Sequence, residues 1–348
     1  MNHIKDRQIS ILQLLRGSIG MSATEVVRRV GSVSLATIKR DIGGLLKAGL
    51  VVSSGKGRTA GYTLTKQGEL FTPIDAHVYC KDEPDKRNAF DRYDFALLPA
   101  IPSSVLNNNE RVLLNDATRI FKERSSSLSD SLAQKELERF VIELSWKSSR
   151  IEGNTYTILD TERLVREGVE AEGHSHEEAV MILNHKKAFE FILVHRNEFA
   201  QTPSRAAIEE IHRILTDGLG IDRGLRRQVV GIVGTKYRPL DNEFQIQEAM
   251  NVLRESISRA SDPYTAALIA LLGISYIQPF GDGNKRTARL LGNAILLGHG
   301  LAPLSYRNVD EVAYREATLV FYETHSLVPF KEMFIAQYLF AADQYGIV

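Results

Sequence analysis

Thr265 to Ile277 is an almost wholly apolar run of thirteen residues, and it limits what this chain can fold into. A bilayer span needs about 20 such residues, so the run predicts a helix buried on all sides inside a protein. A chain of 348 residues is long enough for two or three domains and a substantial core to cover it. The helical pattern resumes from Lys285 through Leu297 and stops at Gly298 and Gly300. Between the two helices lies a tight loop, Pro279 to Asn284, with Gly281 and Gly283. Glycines there let the backbone approach a ligand closely, and the free N–H groups opening the second helix form an anion site. Asp282 is placed to hold a divalent cation, and Arg286 and Arg289, three apart, point from one helix face back toward the loop. Loop amides, one carboxylate and two guanidiniums around one spot describe a nucleotide-phosphate site.

The same stretch resembles the signature of the Fic family, His-x-Phe-x-Asp/Glu-Gly-Asn-Gly/Lys-Arg-x-x-Arg. Phe280, Asp282, Gly283, Asn284, Lys285, Arg286 and Arg289 fall on it in order, and Gln278 stands where the family has its catalytic histidine. A second motif lies upstream. A helix from Leu132 to Ile151, with Leu137, Phe140, Val141 and Leu144 on one face, ends in Ser148-Ser-Arg-Ile-Glu152-Gly153. That ending resembles the family's inhibitory motif, Ser/Thr-x-x-x-Glu-Gly/Asn. Val229 to Val233 and the following Gly234-Thr235-Lys236-Tyr237 look like the family's hairpin flap, which pairs with the segment to be modified.

The resemblance implies transfer of AMP from ATP to a Ser, Thr or Tyr hydroxyl of a protein target. It assigns phosphate binding to Gly281, Gly283, Asn284, Lys285, Arg286 and Arg289, Mg²⁺ to Asp282, and inhibition to Ser148 and Glu152. In the family the glutamate reaches the second signature arginine, here Arg289, and blocks a productive γ-phosphate position. Gln278 cannot act as the base, because a carboxamide has no useful basicity near neutral pH, so the transfer is expected to be weak or lost. Lys285 matches a toxin branch that moves the γ-phosphate instead, which makes a protein kinase the lesser alternative.

The remaining segments fill out the chain. Charge is uneven: residues 1–70 hold eleven Lys and Arg against four Asp and Glu, leaving 32 against 39 in the rest. A basic head on an acidic body points to a polyanion partner. Helices are predicted over Arg7 to Leu15, from Ser22 with Glu25 at capping-box spacing, and over Ser34 to Lys47 with Ile38, Ile42, Leu45 and Leu46 inward. Two short strands follow, around a basic, glycine-rich turn. The pattern resembles a winged helix-turn-helix domain. It implies DNA binding, with Ser34 and Thr37 at base edges and Lys39, Arg40, Lys56 and Arg58 on phosphates. A regulator that binds DNA and senses nucleotide or a partner is therefore the other function class, and two-fold DNA sites make a homodimer a natural state. Residues 71–108 read as a proline-interrupted connector whose Tyr79, Phe90, Tyr93 and Phe95 pack on something. Residues 109–348 read as the Fic domain, including the inhibitory helix over 132–153. A helix is expected over Asn109 to Lys122, with Ser125 to Ser129 as a loop. His212 reads as a core residue on an apolar helix face, and His174 with His176 lacks a third metal ligand. The lone Cys80, the absence of an apolar leader and the lack of a membrane-length segment lead to a cytoplasmic expectation. The fold class is thus mainly α, with a small hairpin flap and a winged-helix head.

Overall fold

Asp262 caps the apolar run: its Oδ1 accepts from Thr265 N at 2.7 Å, and Pro263 occupies the first turn. Every side chain from Tyr264 to Ile277 is buried, as a helix without a polar face requires. The computed structural model describes residues 5–31, 33–55 and 60–347. In chain order, α1 (Asp6–Leu15), α2 (Ala23–Val30) and α3 (Leu35–Lys47) precede β1 (Val51–Ser54) and β2 (Gly61–Leu64). Short helices α4 (Lys66–Phe71), α5 (Ala76–Cys80) and α6 (Leu97–Ala100) lead into a helical body. That body comprises α7 (Asn108–Ser127), α8 (Asp130–Ile151), α9 (Ile158–Glu167), α10 (His176–Val194), α11 (Arg205–Leu215) and α12 (Glu243–Ser258). It continues through α13 (Pro263–Ile277), α14 (Asn284–Gly298), α15 (Glu311–Thr324) and α16 (Val328–Gln344). The α13–α14 pair is central: α12 packs on α13, and α8, α10 and α11 all pack on α14. The fold is mainly helical, as the sequence predicts.

The head is three helices and one antiparallel hairpin, with Val51 opposite Leu64 and Ser54 opposite Gly61. Its core is Ile11, Leu12, Leu15, Val26, Ile38, Ile42 and Leu45. Two details differ from expectation. Leu46, expected inward, is 36 % exposed, because it sits one step past the buried Leu45 on the stripe. Ser22 does cap α2 through Glu25 N, but the Glu25 carboxylate turns to Arg28 and Arg29 instead of closing the box. Lys56 and Arg58 lie outside the described residues.

Three of the four connector aromatics pack on the body, while Phe95, 43 % exposed, meets Tyr93 edge-on. Phe90 stacks on His325 at 4.1 Å and Tyr93 on Tyr276 at 4.8 Å, while Tyr79 donates to Glu323 Oε2 at 2.8 Å. Arg87 and Glu323 form a buried ion pair at 3.4 Å. Lys66 Nζ sits 2.8 Å from Glu69 and 2.6 Å from Asp94. Those two acids and His325 are the single cluster of three such side chains among the described residues, and a lysine already supplies its positive charge.

Two predicted elements are corrected. Ser125 to Ser127 are helical, not loop: α7 runs on to Ser127, with the Ser126 and Ser127 hydroxyls donating back to Glu123 O and Arg124 O. The hairpin expected over 229–239 does not form; the segment is irregular apart from one isolated bridge between Arg92 and Arg238. Val229 and Val233 are 71 % and 98 % exposed while Ile232 packs on the core, so the run lacks the alternating buried face a strand pair needs. No helix among the described residues is long and apolar enough to cross a membrane.

Candidate active site

The loop between α13 and α14 begins with a backbone reversal at Gln278, φ +51°, an uncommon conformation for a residue with a side chain. The turn is held from three sides. Gln278 N donates to Ile274 O at 3.0 Å, and its own Nε2 donates to Ser275 O at 2.7 Å. Arg226, buried, donates from Nε to Gln278 O at 2.6 Å, from its backbone N to Pro279 O at 3.0 Å, and from Nη1 to Gln228 O at 2.7 Å. Its Nη2 donates to Leu240 O. One guanidinium therefore ties residues 228 and 240 to the start of the loop.

The middle of the loop is clamped from within. Asn284 Oδ1 accepts from Phe280 N and its Nδ2 donates to Phe280 O, both at 2.9 Å. Its side chain thus fixes the loop's own backbone, and only its main chain is left to face a ligand. Phe280 is buried and stacks on His212, ring centroids 3.8 Å apart. His212 Nε2 donates to Asp282 O at 3.0 Å. Burial pushes this imidazole down to about 4, so it is a neutral core group, as its place on the helix face predicts. Gly283, φ +77°, opens α14; a Cβ there would meet Thr216 Cγ2 at 3.1 Å. Gly281 is partly exposed, and the Asp282 side chain is 71 % exposed, 3.3 Å from Arg286 Nη2.

The two arginines differ in their surroundings. Arg286 is buried with Nη1 unpaired. Arg289, fully buried, donates from Nε to Ser148 Oγ and from Nη2 to Ser148 O, both at 2.8 Å. Its Nη2 also lies 2.9 Å from Glu152 Oε1, an ion contact whose N–H vector is not aimed at the oxygen, and its Nη1 is unpaired. Lys285 Nζ reaches to 3.7 Å from Glu152 Oε2. Burial works against the Glu152 charge, but Arg289 and Lys285 outweigh it and hold the carboxyl below its ordinary range. Glu152 stands at the end of α8, where the helix's carbonyls repel a carboxylate, so these cations are what make the position tolerable.

The sequence-predicted loop residues and the pair Ser148 and Glu152 are therefore brought together. The predicted flap residues are tied down elsewhere: Gly234 O accepts from Arg87, Thr235 Oγ1 from Tyr237 N at 3.0 Å, and Lys236 donates to Asp85 O at 3.1 Å. Tyr237 is buried, with its hydroxyl on Tyr276 O at 2.8 Å, so it anchors the segment to α13. In the head, Ser34 caps α3, Thr37 is half-buried, and Lys39 and Arg40 are exposed. His174 and His176 each pair with a separate neighbour, Thr155 and Glu170, and share no site. Sequence reasoning missed Arg226, which stands after Gly224-Leu225 as the first of two adjacent arginines, with nothing to mark it as buried. Beside Gly281 and Asp282 opens a cavity of about 690 Å³, rimmed by Arg205, Glu209, Arg227 and Glu243.

Comparison with known proteins agrees with this architecture. Residues 202–296 match the Fic/DOC family. The protein adenylyltransferase Fic of Nematostella vectensis is 30% identical over 174 residues, covering 49% of this chain and 41% of that protein. Protein adenylyltransferase fic-1 of Caenorhabditis elegans is 27% identical over 161 residues, 44% of this chain and 31% of the relative. The chain thus spans well under half the length of these curated relatives. Among solved structures, a Fic-domain-containing signaling protein from Bacteroides thetaiotaomicron superposes with a TM-score of 0.57 at 20% identity, covering 66% of this chain and 94% of that one. Fic-1 of Caenorhabditis elegans gives 0.55 at 21% identity over 68% of this chain and 71% of its own. Gln278, the clamped loop and Arg289 all lie within residues 202–296, the stretch that matches the Fic/DOC family.

Proposed function

We propose that this chain binds ATP as a Fic-type protein adenylyltransferase, restrained by Glu152 and slowed by Gln278. The observation that carries the reading is Arg289, fully buried and held jointly by Ser148 and Glu152 beside an N-terminal helix loop. Phosphate binding falls to the amides opening α14 and to the unpaired Nη1 donors of Arg286 and Arg289. Gly281, Gly283 and Asn284 shape that cradle, and Lys285 adds charge at its rim. The exposed carboxylate of Asp282 suits Mg²⁺, which keeps several waters and takes one or two carboxylates plus phosphates. When bound, that ion would neutralise phosphate charge. A target hydroxyl attacks the α-phosphorus, a new P–O bond forms, and pyrophosphate leaves. Gln278 can orient the hydroxyl but cannot take its proton, which must pass to water. Glu152 competes with the γ-phosphate for Arg289, so the restraint is electrostatic. Thr235, Lys236 and the neighbouring exposed Val229 and Val233 form the surface offered to a target segment.

The test is incorporation of label into protein from α- and from γ-labelled ATP. Glu152→Gly should raise α-label incorporation by about tenfold or more, since it removes one carboxylate from two cations. Transfer of γ-label alone would assign the chain to phosphate transfer instead, and no label from either would remove the enzyme reading.

A second reading rests on the head, whose exposed Lys39 and Arg40 lie on the helix opened by Ser34. In this reading residues 1–70 bind DNA and the Fic domain reports nucleotide or partner occupancy. Replacing Lys39 and Arg40 with alanine should then lower the salt slope of duplex binding by about 2, with little change in sequence preference. An unchanged slope would take α3 out of the interface.

A further inference from the structure

The contact between Arg289 and Ser148 leaves one proton to be placed. Arg289 Nε–H donates to Ser148 Oγ at 2.8 Å, so the serine's own O–H needs an acceptor. His185, on α10 and fully buried, offers its Nε2 at 2.8 Å. The other ring nitrogen, Nδ1, lies 2.9 Å from Met181 O, which can only accept, and 3.4 Å from Ser149 Oγ, a longer contact that can work in either direction. Nδ1 therefore carries the hydrogen and Nε2 the lone pair, a tautomer assigned from its partners. The proton order is complete: Arg289 to Ser148, Ser148 to His185, His185 to Met181. Burial pushes His185 down to about 3; the nearby Arg286 and Arg289 add to this, while Met181 O and Glu152 oppose it. The ring is thus neutral at any working pH, as an acceptor must be.

We propose that His185 is a positioning residue of the restraint: by accepting the hydrogen bond from the Ser148 hydroxyl it turns the serine's lone pair to Arg289 and holds that guanidinium against Glu152. The proposal rests on Glu152 restraining the site, as read above. It adds a member from a different helix, so that the restraint spans α8, α10 and α14. His185 makes and breaks no bond of the reaction.

A restraint of this kind has its own readout. Glu152 competes with a γ-phosphate, which ATP has and ADP lacks, so the ratio of ADP to ATP dissociation constants measures it. Damage to the fold would weaken both nucleotides together. The ratio is measured by calorimetry on the full chain and on Glu152→Gly, Ser148→Ala, His185→Leu, His185→Gln and the double variant Ser148→Ala/His185→Leu. The expected result is a rise toward ATP of about tenfold in Glu152→Gly and about fivefold in Ser148→Ala and in His185→Leu. The double variant should exceed neither single one, because both changes cut the same chain. His185→Gln, whose Oε1 can accept the Ser148 proton, should stay near the starting ratio. If Glu152→Gly raises the ratio and His185→Leu does not, or if both nucleotides weaken equally in His185→Leu, the role of His185 is overturned. An unchanged ratio in Glu152→Gly overturns the restraint itself and this inference with it.

Discussion

In the Glu152→Gly background, Gln278→His should raise AMP transfer by about 10²–10⁴, the usual worth of a positioned general base. The backbone is already suited to it. Residue 278 is left-handed at φ +51°, a conformation in which histidine is among the better-tolerated side chains. Gln278 Nε2 already donates to Ser275 O at 2.7 Å. An imidazole there can make the same donation from one nitrogen and leave the other free to accept a proton. Its unperturbed pKa is about 6.5, so the rate of the variant should climb through that pH and level off above it. The chain with Gln278 should show no such rise. Equal, pH-independent rates in the two proteins would mean that residue 278 is not where the target's proton leaves.

Arg87→Ala should cost about 3–5 kcal/mol, the usual loss when one partner of a buried ion pair is removed. Arg87 and Glu323 are 3.4 Å apart, with side chains 3 % and 0 % exposed. Glu323 keeps the Tyr79 hydroxyl as a donor but has no second cation among the described residues. Arg87 also holds Gly234 O, so the segment over 229–239 loses one of its ties. Urea unfolding should show the midpoint falling with an unchanged slope. A double variant, Arg87→Met with Glu323→Leu, should recover most of the loss, since the penalty comes from the stranded charge. A cost below about 1 kcal/mol for Arg87→Ala would show that water reaches Glu323 and that the connector is less firmly seated than its contacts require.

The parts of the fold and site legible in sequence are those set by local rules. Thr265 to Ile277 could only be a buried helix, and the glycines with Asp282, Arg286 and Arg289 had to meet because they share one loop and one helix face. Ser148 and Glu152 were legible as neighbours on α8, while their meeting with Arg289 came from family resemblance, since no periodicity joins residues 141 positions apart. Arg226 and His185 were not legible, because their significance lies in carbonyls and a hydroxyl brought by other elements. The strand pattern over 229–233 misled for the opposite reason. A β-rich run such as Val229 to Val233 forms a strand only when a partner and a buried face receive it, and here Val229 and Val233 are 71 % and 98 % exposed.

The left-handed turn at residue 278 also bears on heredity. Glutamine and histidine codons differ only in their third base, so one substitution in the coding strand exchanges them. Most backbones would not be indifferent to such an exchange, but the Arg226 and Ile274 hydrogen bonds that hold this one involve only main-chain atoms of residue 278. The one side-chain bond, from Gln278 Nε2 to Ser275 O, is a donation an imidazole nitrogen can replace, so the turn can keep its hold with either side chain. A single base change would therefore place a histidine at residue 278 with the main-chain hydrogen bonds of the turn kept.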